Sequence, residues 1–280
     1  MSTITISAAD VNKLRQQTGA GMMDCKKALM EANGDFEVAV DYLRKKGQKV
    51  AVNRSDRDAK EGVVIGKTNA NGTRGALICL NCETDFVAKN DNFVAYANSL
   101  LDLALEKKPS SIEEFKGLTL NGLTVADTLF DQIGKIGEKL DLSVYEVIEA
   151  PKVVAYIHPG NKLVSMVGLS SDKPANIAEI GKDIAMQIAA MAPVAIDKGD
   201  VSSEMIEREI EIGKEQARQE GKPEEMLEKI AQGKLNKFYK ENTLLNQSFI
   251  KDDSKTIAQL LNNTEKGLAI TAFKRVRLGA

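Results

Sequence analysis

The chain of 280 residues has no tryptophan, a single histidine, three cysteines and six prolines, and only 5% of its residues are aromatic. Each scarcity removes a class of function. With so few aromatics there is no basic-aromatic strip on which single-stranded nucleic acid would stack. The 38 basic and 40 acidic residues leave a formal net charge of -2, without the basic surplus of a general nucleic-acid binder. The lone His158 sits in a turn beside Pro159, and no serine or cysteine lies in a recognisable nucleophile setting. Three cysteines (Cys25, Cys79 and Cys82) do not make a disulfide framework. Cys79 and Cys82 form an isolated Cys-x-x-Cys that lacks the further ligands of a zinc site. It ends a strand-like run, whereas a redox pair opens a helix, so it reads as buried small residues. No apolar run approaches the roughly 18 residues of a membrane span. The first ten residues have neither the basic region nor the apolar core of a secretory leader, so a cytoplasmic protein is expected.

What is present is an ordinary globular composition, 43% hydrophobic and 28% charged, long enough for a sizeable core in one to three domains. Residues 1–47 pattern as three short helices. Ser7 caps the first, which carries Val11 and Leu14 and closes at Gly19. The second covers residues 22–31 and ends at Asn33-Gly34, and Asp35 caps a third that closes near Gly47. So small a unit suits docking better than catalysis. Residues 53–62 read as a linker or an exposed helix end.

Beyond Gly62, strands at residues 63–66 and 75–80 flank a hairpin turn at Asn71-Gly72, followed by a helix over about residues 91–105. The same plan returns about 90 residues later: strands at 153–157 and 163–168, a turn at 158–161, and a helix over about residues 175–191. Two related α+β lobes are expected. Residues 201–240 are two charged amphipathic stretches broken at Gly221-Lys222-Pro223, an antiparallel helical hairpin. A last helix from residue 256 and a strand at 268–273 complete the second lobe. The expected fold class is therefore α+β, divided into residues 1–55, 56–140, 141–200 with 241–280, and 201–240.

Chemistry is sparse. Gly66-Lys67-Thr68 resembles the end of a phosphate loop, but position 61 is Glu where the loop needs glycine. The unusual segment is residues 81–90, where polar residues surround Phe86 and Val87. The corresponding loop of the second lobe, residues 170–174, has no aromatic. Two readings stay open: Phe86 caps its own hairpin's core, or it anchors in a partner's pocket.

Two further passages decide the class. Leu14-Arg15-Gln16-Gln17-Thr18-Gly19-Ala20-Gly21-Met22-Met23-Asp24-Cys25 closely resembles the N-terminal signature of the bacterial elongation factor Ts family, and Asn81-Cys82-Glu83-Thr84-Asp85-Phe86-Val87-Ala88 resembles its second signature. Lys135-Ile136-Gly137-Glu138, residues 183–190, Gly221-Lys222-Pro223 and residues 254–257 match in the same order. The resemblance implies a ubiquitin-associated-like N-terminal domain of three helices, a two-lobed α+β core and a protruding antiparallel helical hairpin. It implies a guanine-nucleotide exchange factor, not an enzyme and without a cofactor, that promotes release of GDP from elongation factor Tu. Thr84, Asp85, Phe86 and Val87 would dislocate the partner's magnesium. Arg15, Met22, Met23, Ile136, Gly137, His158, Phe249 and Ile250 would bind the partner. No direct contact with nucleic acid or membrane is implied, and a homodimer or a two-to-two complex stays open. Two departures are noted: the chain stops at residue 280 where a short C-terminal helical module is expected, and Lys251 stands where an apolar residue is common. The competing reading is an interaction scaffold without exchange activity; an enzyme built on Cys79, Cys82 and His158 is a distant third.

Overall fold

The computed structural model describes residues 6–279; residues 1–5 and 280, which belong to the two ends read above for a leader and a C-terminal module, lie outside the described residues. The chain forms two compact units. The first comprises the chain up to Ile65, Leu77–Tyr145 and the last few residues; the second comprises Gly66–Ala76 and Glu146–Val276.

The first unit opens with α1 (Ala8–Thr18), α2 (Met22–Glu31) and α3 (Phe36–Asn53). Local chemistry sets their ends. The Ser7 hydroxyl accepts the Asp10 N–H at 3.0 Å, and the Asp35 carboxylate accepts the Val38 N–H at 3.0 Å. Gly19, in the left-handed region at φ 71, closes α1 by donating its N–H to the Arg15 carbonyl. Val11, Leu14, Cys25, Ala28, Leu29 and Ala39 form the core between the helices.

The third helix does not close near Gly47, as its glycine suggested, but runs on to Asn53. Gly47 is buried mid-helix for a packing reason. It faces α7 (Val125–Ile136), where a β-carbon would strike the Phe130 carbonyl oxygen, and a β-carbon on Gly134 would come within 3.1 Å of the Gly47 Cα. Two backbones meet there with no side chain between them.

Between α3 and α7 run β1 (Glu61–Thr68), β2 (Arg74–Cys82), α4 (Asp85–Ala88), α5 (Asp91–Lys107), α6 (Ile112–Gly117), and the small antiparallel pair β3 (Thr119–Leu120) and β4 (Leu123–Thr124). After α7 comes β5 (Asp141–Glu149), and the larger strands assemble in the order β1-β2-β5. The pattern did not reveal α6, α7 or β5. The last mixes Asp141, Ser143, Glu146 and Glu149 into its run and is buried only at Leu142 and Ile148.

The second unit holds β6 (Lys152–Ile157) and β7 (Leu163–Leu169), paired antiparallel with Val154 opposite Val167. It continues with α8 (Ile177–Met191), α9 (Ser203–Gln219), α10 (Glu224–Asn242), the antiparallel pair β8 (Ser248–Phe249) and β9 (Asp252–Thr256), α11 (Ile257–Thr264) and β10 (Ile270–Arg277). Its second sheet has the order β10-β7-β6, and its core joins Val167, Leu169, Ile184, Ile188, Leu244, Ile257 and Leu261. Helices α9 and α10 are antiparallel: Lys214 pairs with Glu228 at 2.7 Å and Arg218 with Glu224 at 2.9 Å, while Gly213 lets the helices close against Ala231. The break falls at Gly221, φ 73, followed by Pro223 ahead of α10. Thus the chain is a mixed α+β protein with an N-terminal three-helix region and antiparallel strand pairs.

Candidate partner-binding site

Strand β2 ends at Cys82 and the chain turns into the one-turn helix α4. Thr84 is its N-cap: the hydroxyl lies 3.4 Å from the Val87 N–H it receives. Phe86 points outward and is 83% exposed, the most exposed large apolar side chain among the described residues. That exposure does not fit the reading of Phe86 as a cap on its own hairpin's core, because a core cap would be buried. Val87 is half-buried, and Asp85 pairs with Lys89 at 2.6 Å one helical turn on.

Two glutamates hold the loop from below. The Glu138 carboxylate accepts three hydrogen bonds: Oε2 from the Glu83 and Thr84 N–H groups at 3.1 and 3.0 Å, and Oε1 from the Thr84 hydroxyl at 2.7 Å. In return the Glu83 carboxylate accepts the Lys139 N–H at 2.6 Å and pairs with Arg54 at 2.7 Å and Arg57 at 3.3 Å. Burial acts to raise the Glu83 pKa, but the Lys139 N–H and the two arginines outweigh it, so the carboxyl titrates below its ordinary value. Behind the loop the Cys82 thiol donates to the Thr84 carbonyl at 3.1 Å. Burial, with the Glu138 charge adding to it, pushes that thiol up to about 12.

Glu138 is carried by the end of α7, where Gly137, φ 78, turns the chain and donates its N–H to the Ile133 carbonyl. The clasp therefore ties Ile136 and Gly137 to the Phe86 loop. Phe86, Val87, Phe93, Lys135, Ile136 and Gly19 line one open groove of about 780 Å³. The turn between α1 and α2 reaches it through Gly19, which the Lys135 stem approaches. At that turn Met22 is 52% and Met23 73% exposed, while Cys25, Ala28 and Leu29 take the buried face of α2. Arg15 is exposed on α1.

The remaining expected residues belong to the second unit. His158 is exposed in the β6–β7 turn with its Nδ1 3.0 Å from the Tyr156 hydroxyl. Phe249 differs from the others: it is 5% exposed and sits in the core, whereas its neighbour Ile250 is 46% exposed. The buried Gln187 side chain accepts the Ile250 N–H at 2.8 Å and donates to the Ser248 carbonyl, fixing this bend. Lys251, the departure noted above, pairs with Asp183 at 2.6 Å. Missing from the expected set are Glu83 and Glu138. A glutamate inside each matched passage was the only signal available.

Cys25, Cys79 and Cys82 are free and buried. Among the described residues no group of His, Cys, Asp and Glu side chains could hold a metal ion, and no helix is long and apolar enough to cross a membrane.

Comparison with known proteins gives this surface its context. The model of the family described as Elongation factor TS matches residues 83–280. A protein of Amoebophilus asiaticus called Elongation factor Ts is 54% identical over 277 residues, covering 99% of this chain and 100% of that protein. Its namesakes in Cytophaga hutchinsonii and Porphyromonas gingivalis are 54% and 47% identical over 279 and 278 residues, again covering 99% of this chain and 100% of each protein. These relatives are matched along their whole length.

The matches define first a class, the nucleotide exchange factors of translation elongation, which act on a partner and are not catalytic enzymes. The chain belongs to the elongation factor Ts family, whose partner is elongation factor Tu.

Proposed function

We propose that the α4 loop performs the exchange: Phe86, flanked by Thr84, Asp85 and Val87, enters the GTPase and dislocates its magnesium, so that GDP leaves. The observation that carries this reading is the exposure of Phe86 on a loop whose N-terminal end is tied to the residues that follow α7. Magnesium bridges the nucleotide phosphates and the GTPase's own ligands, so shifting those ligands removes a large favourable charge interaction. An aromatic ring buried in the partner contributes about 2–3 kcal/mol toward that strain. Asp85, paired with Lys89 in the free chain, brings a carboxylate to the same place, to repel phosphate or a carboxylate ligand or to accept a hydrogen bond from the partner's backbone.

Arg15, Met22 and Met23 offer a second contact beside the groove, with the soft thioether side chains adapting to the partner's surface. Ile136 and Gly137 flank the loop itself. In the second unit His158 and Ile250 supply further contacts, with Phe249 as the core support beneath Ile250. This reading keeps the division into a ubiquitin-associated-like domain, two core lobes and a protruding hairpin. It also places the work in the cytoplasm, where translation runs. The apolar residues left exposed on the hairpin, Ile212 and Met226, suit the joining of two complexes into a two-to-two assembly.

The test is stopped-flow release of fluorescent GDP from elongation factor Tu. Phe86→Ala removes no core packing, so the fold is retained, and stimulated release should slow by about tenfold to a hundredfold. Release at the normal rate by the folded variant would overturn the reading.

A further inference from the structure

We infer that Glu138 is a positioning residue for the exchange step, and that Glu138 and Glu83 together form a reciprocal clasp that shapes the Phe86 loop before the partner arrives. This rests on the reading of Phe86 given above and names the device that serves it.

The geometry is specific in three respects. First, the two passages exchange carboxylates: Glu138 receives backbone N–H groups at positions 83 and 84, and Glu83 receives the N–H at position 139. Each carboxylate therefore fixes backbone of the other passage directly. Charge-assisted bonds of this kind are roughly twice as strong as neutral ones. Second, Glu138 also receives the Thr84 hydroxyl. That orients the N-cap from which α4 starts, and so the direction in which Phe86 leaves the surface. Third, Glu138 follows Ile136 and Gly137 directly. The same bonds that hold the Phe86 loop set its register against α7.

Without the clasp, a one-turn helix is too short to persist alone, because nucleation costs more than one turn returns. An exposed phenyl ring on a free loop would also fold back onto nearby apolar surface such as the half-buried Ile136. Glu138 acts against both, although it touches neither the nucleotide nor the metal.

The experiment is a double-mutant cycle on stimulated GDP release, using Glu138→Gln and Phe86→Ala singly and together in the full chain. Gln keeps the size of the side chain but replaces one accepting oxygen with an NH2 group that cannot accept from the backbone. Glu138→Gln should slow release about tenfold, and the loss should nearly vanish when Phe86 is already Ala. In parallel, amide hydrogen exchange of the free chain should quicken at residues 83–89 in Glu138→Gln and stay unchanged in the helices of the three-helix region. Glu138→Asp, a carboxylate on a shorter stem, should recover part of the rate. An equal loss in both backgrounds, or unchanged exchange at 83–89, would overturn the positioning role while Phe86→Ala remained slow. Normal release by Phe86→Ala would instead remove the function the clasp serves, and the role assigned to Glu138 would fall with it.

Discussion

Glu83 shows how a single side chain's environment becomes measurable. Its carboxyl titrates below the unfolded value because the Lys139 N–H, Arg54 and Arg57 outweigh burial. A group with a depressed folded pKa stabilises the native state above its unfolded pKa, near 4.3, and loses that contribution as pH falls through the folded value. Wild type should therefore be more stable than Glu83→Gln at neutral pH, and the gap should close as pH drops below about 4. Urea unfolding of both proteins at several pH values between 7 and 3 checks this, and a constant gap would contradict it. Residue identities were legible to different depths. The caps at Ser7 and Asp35 could be read because their partners lie three residues away. Glu138 could not, because its partners are 54 and 55 residues distant and no local pattern links the two passages. Phe86 was undecided for a related reason: local alternation does not tell whether a loop faces inward.

At the scale of elements, the crossing of α3 and α7 depends on two glycines. Reading Gly47 as a helix stop followed its intrinsic cost within a helix. That preference is overridden where a neighbouring backbone needs the space. Gly47→Ala gains helix propensity yet sets a methyl group against the Phe130 carbonyl. The collision is with backbone, which cannot rotate aside, so a net loss of about 1–3 kcal/mol is expected, seen as a lower thermal midpoint. A gain in stability would show that α7 gives way. The strands β1, β2, β6 and β7 and the helices α5, α8, α9 and α10 were legible, since each couples a clear apolar period with Gly, Pro or Asn at its ends. Helix α7 escaped notice because Gly134 and Gly137 interrupt its pattern, one for close packing and one as its cap.

At the scale of the whole molecule, exchange is a linkage between two ligands of one GTPase. Whatever factor this chain takes from the affinity of elongation factor Tu for GDP, GDP must take from the affinity for this chain. Titration of the factor into nucleotide-free and GDP-loaded partner should give a ratio equal to the ratio of GDP affinities with and without the factor. Phe86→Ala and Glu138→Gln should shrink both ratios equally. Unequal ratios would mean that an additional equilibrium is involved. The relatives match the chain almost end to end, so the class of function was legible in the sequence, whereas the support beneath the Phe86 loop became visible only in three dimensions. That support also bears on speed. A loop that must first find its shape makes each collision wait on a rearrangement, and association then falls below the usual range for rigid partners. On the proposed reading, with the start of the Phe86 loop tied by carboxylates, the waiting is shifted to the GTPase, and this chain meets it as a tool already formed.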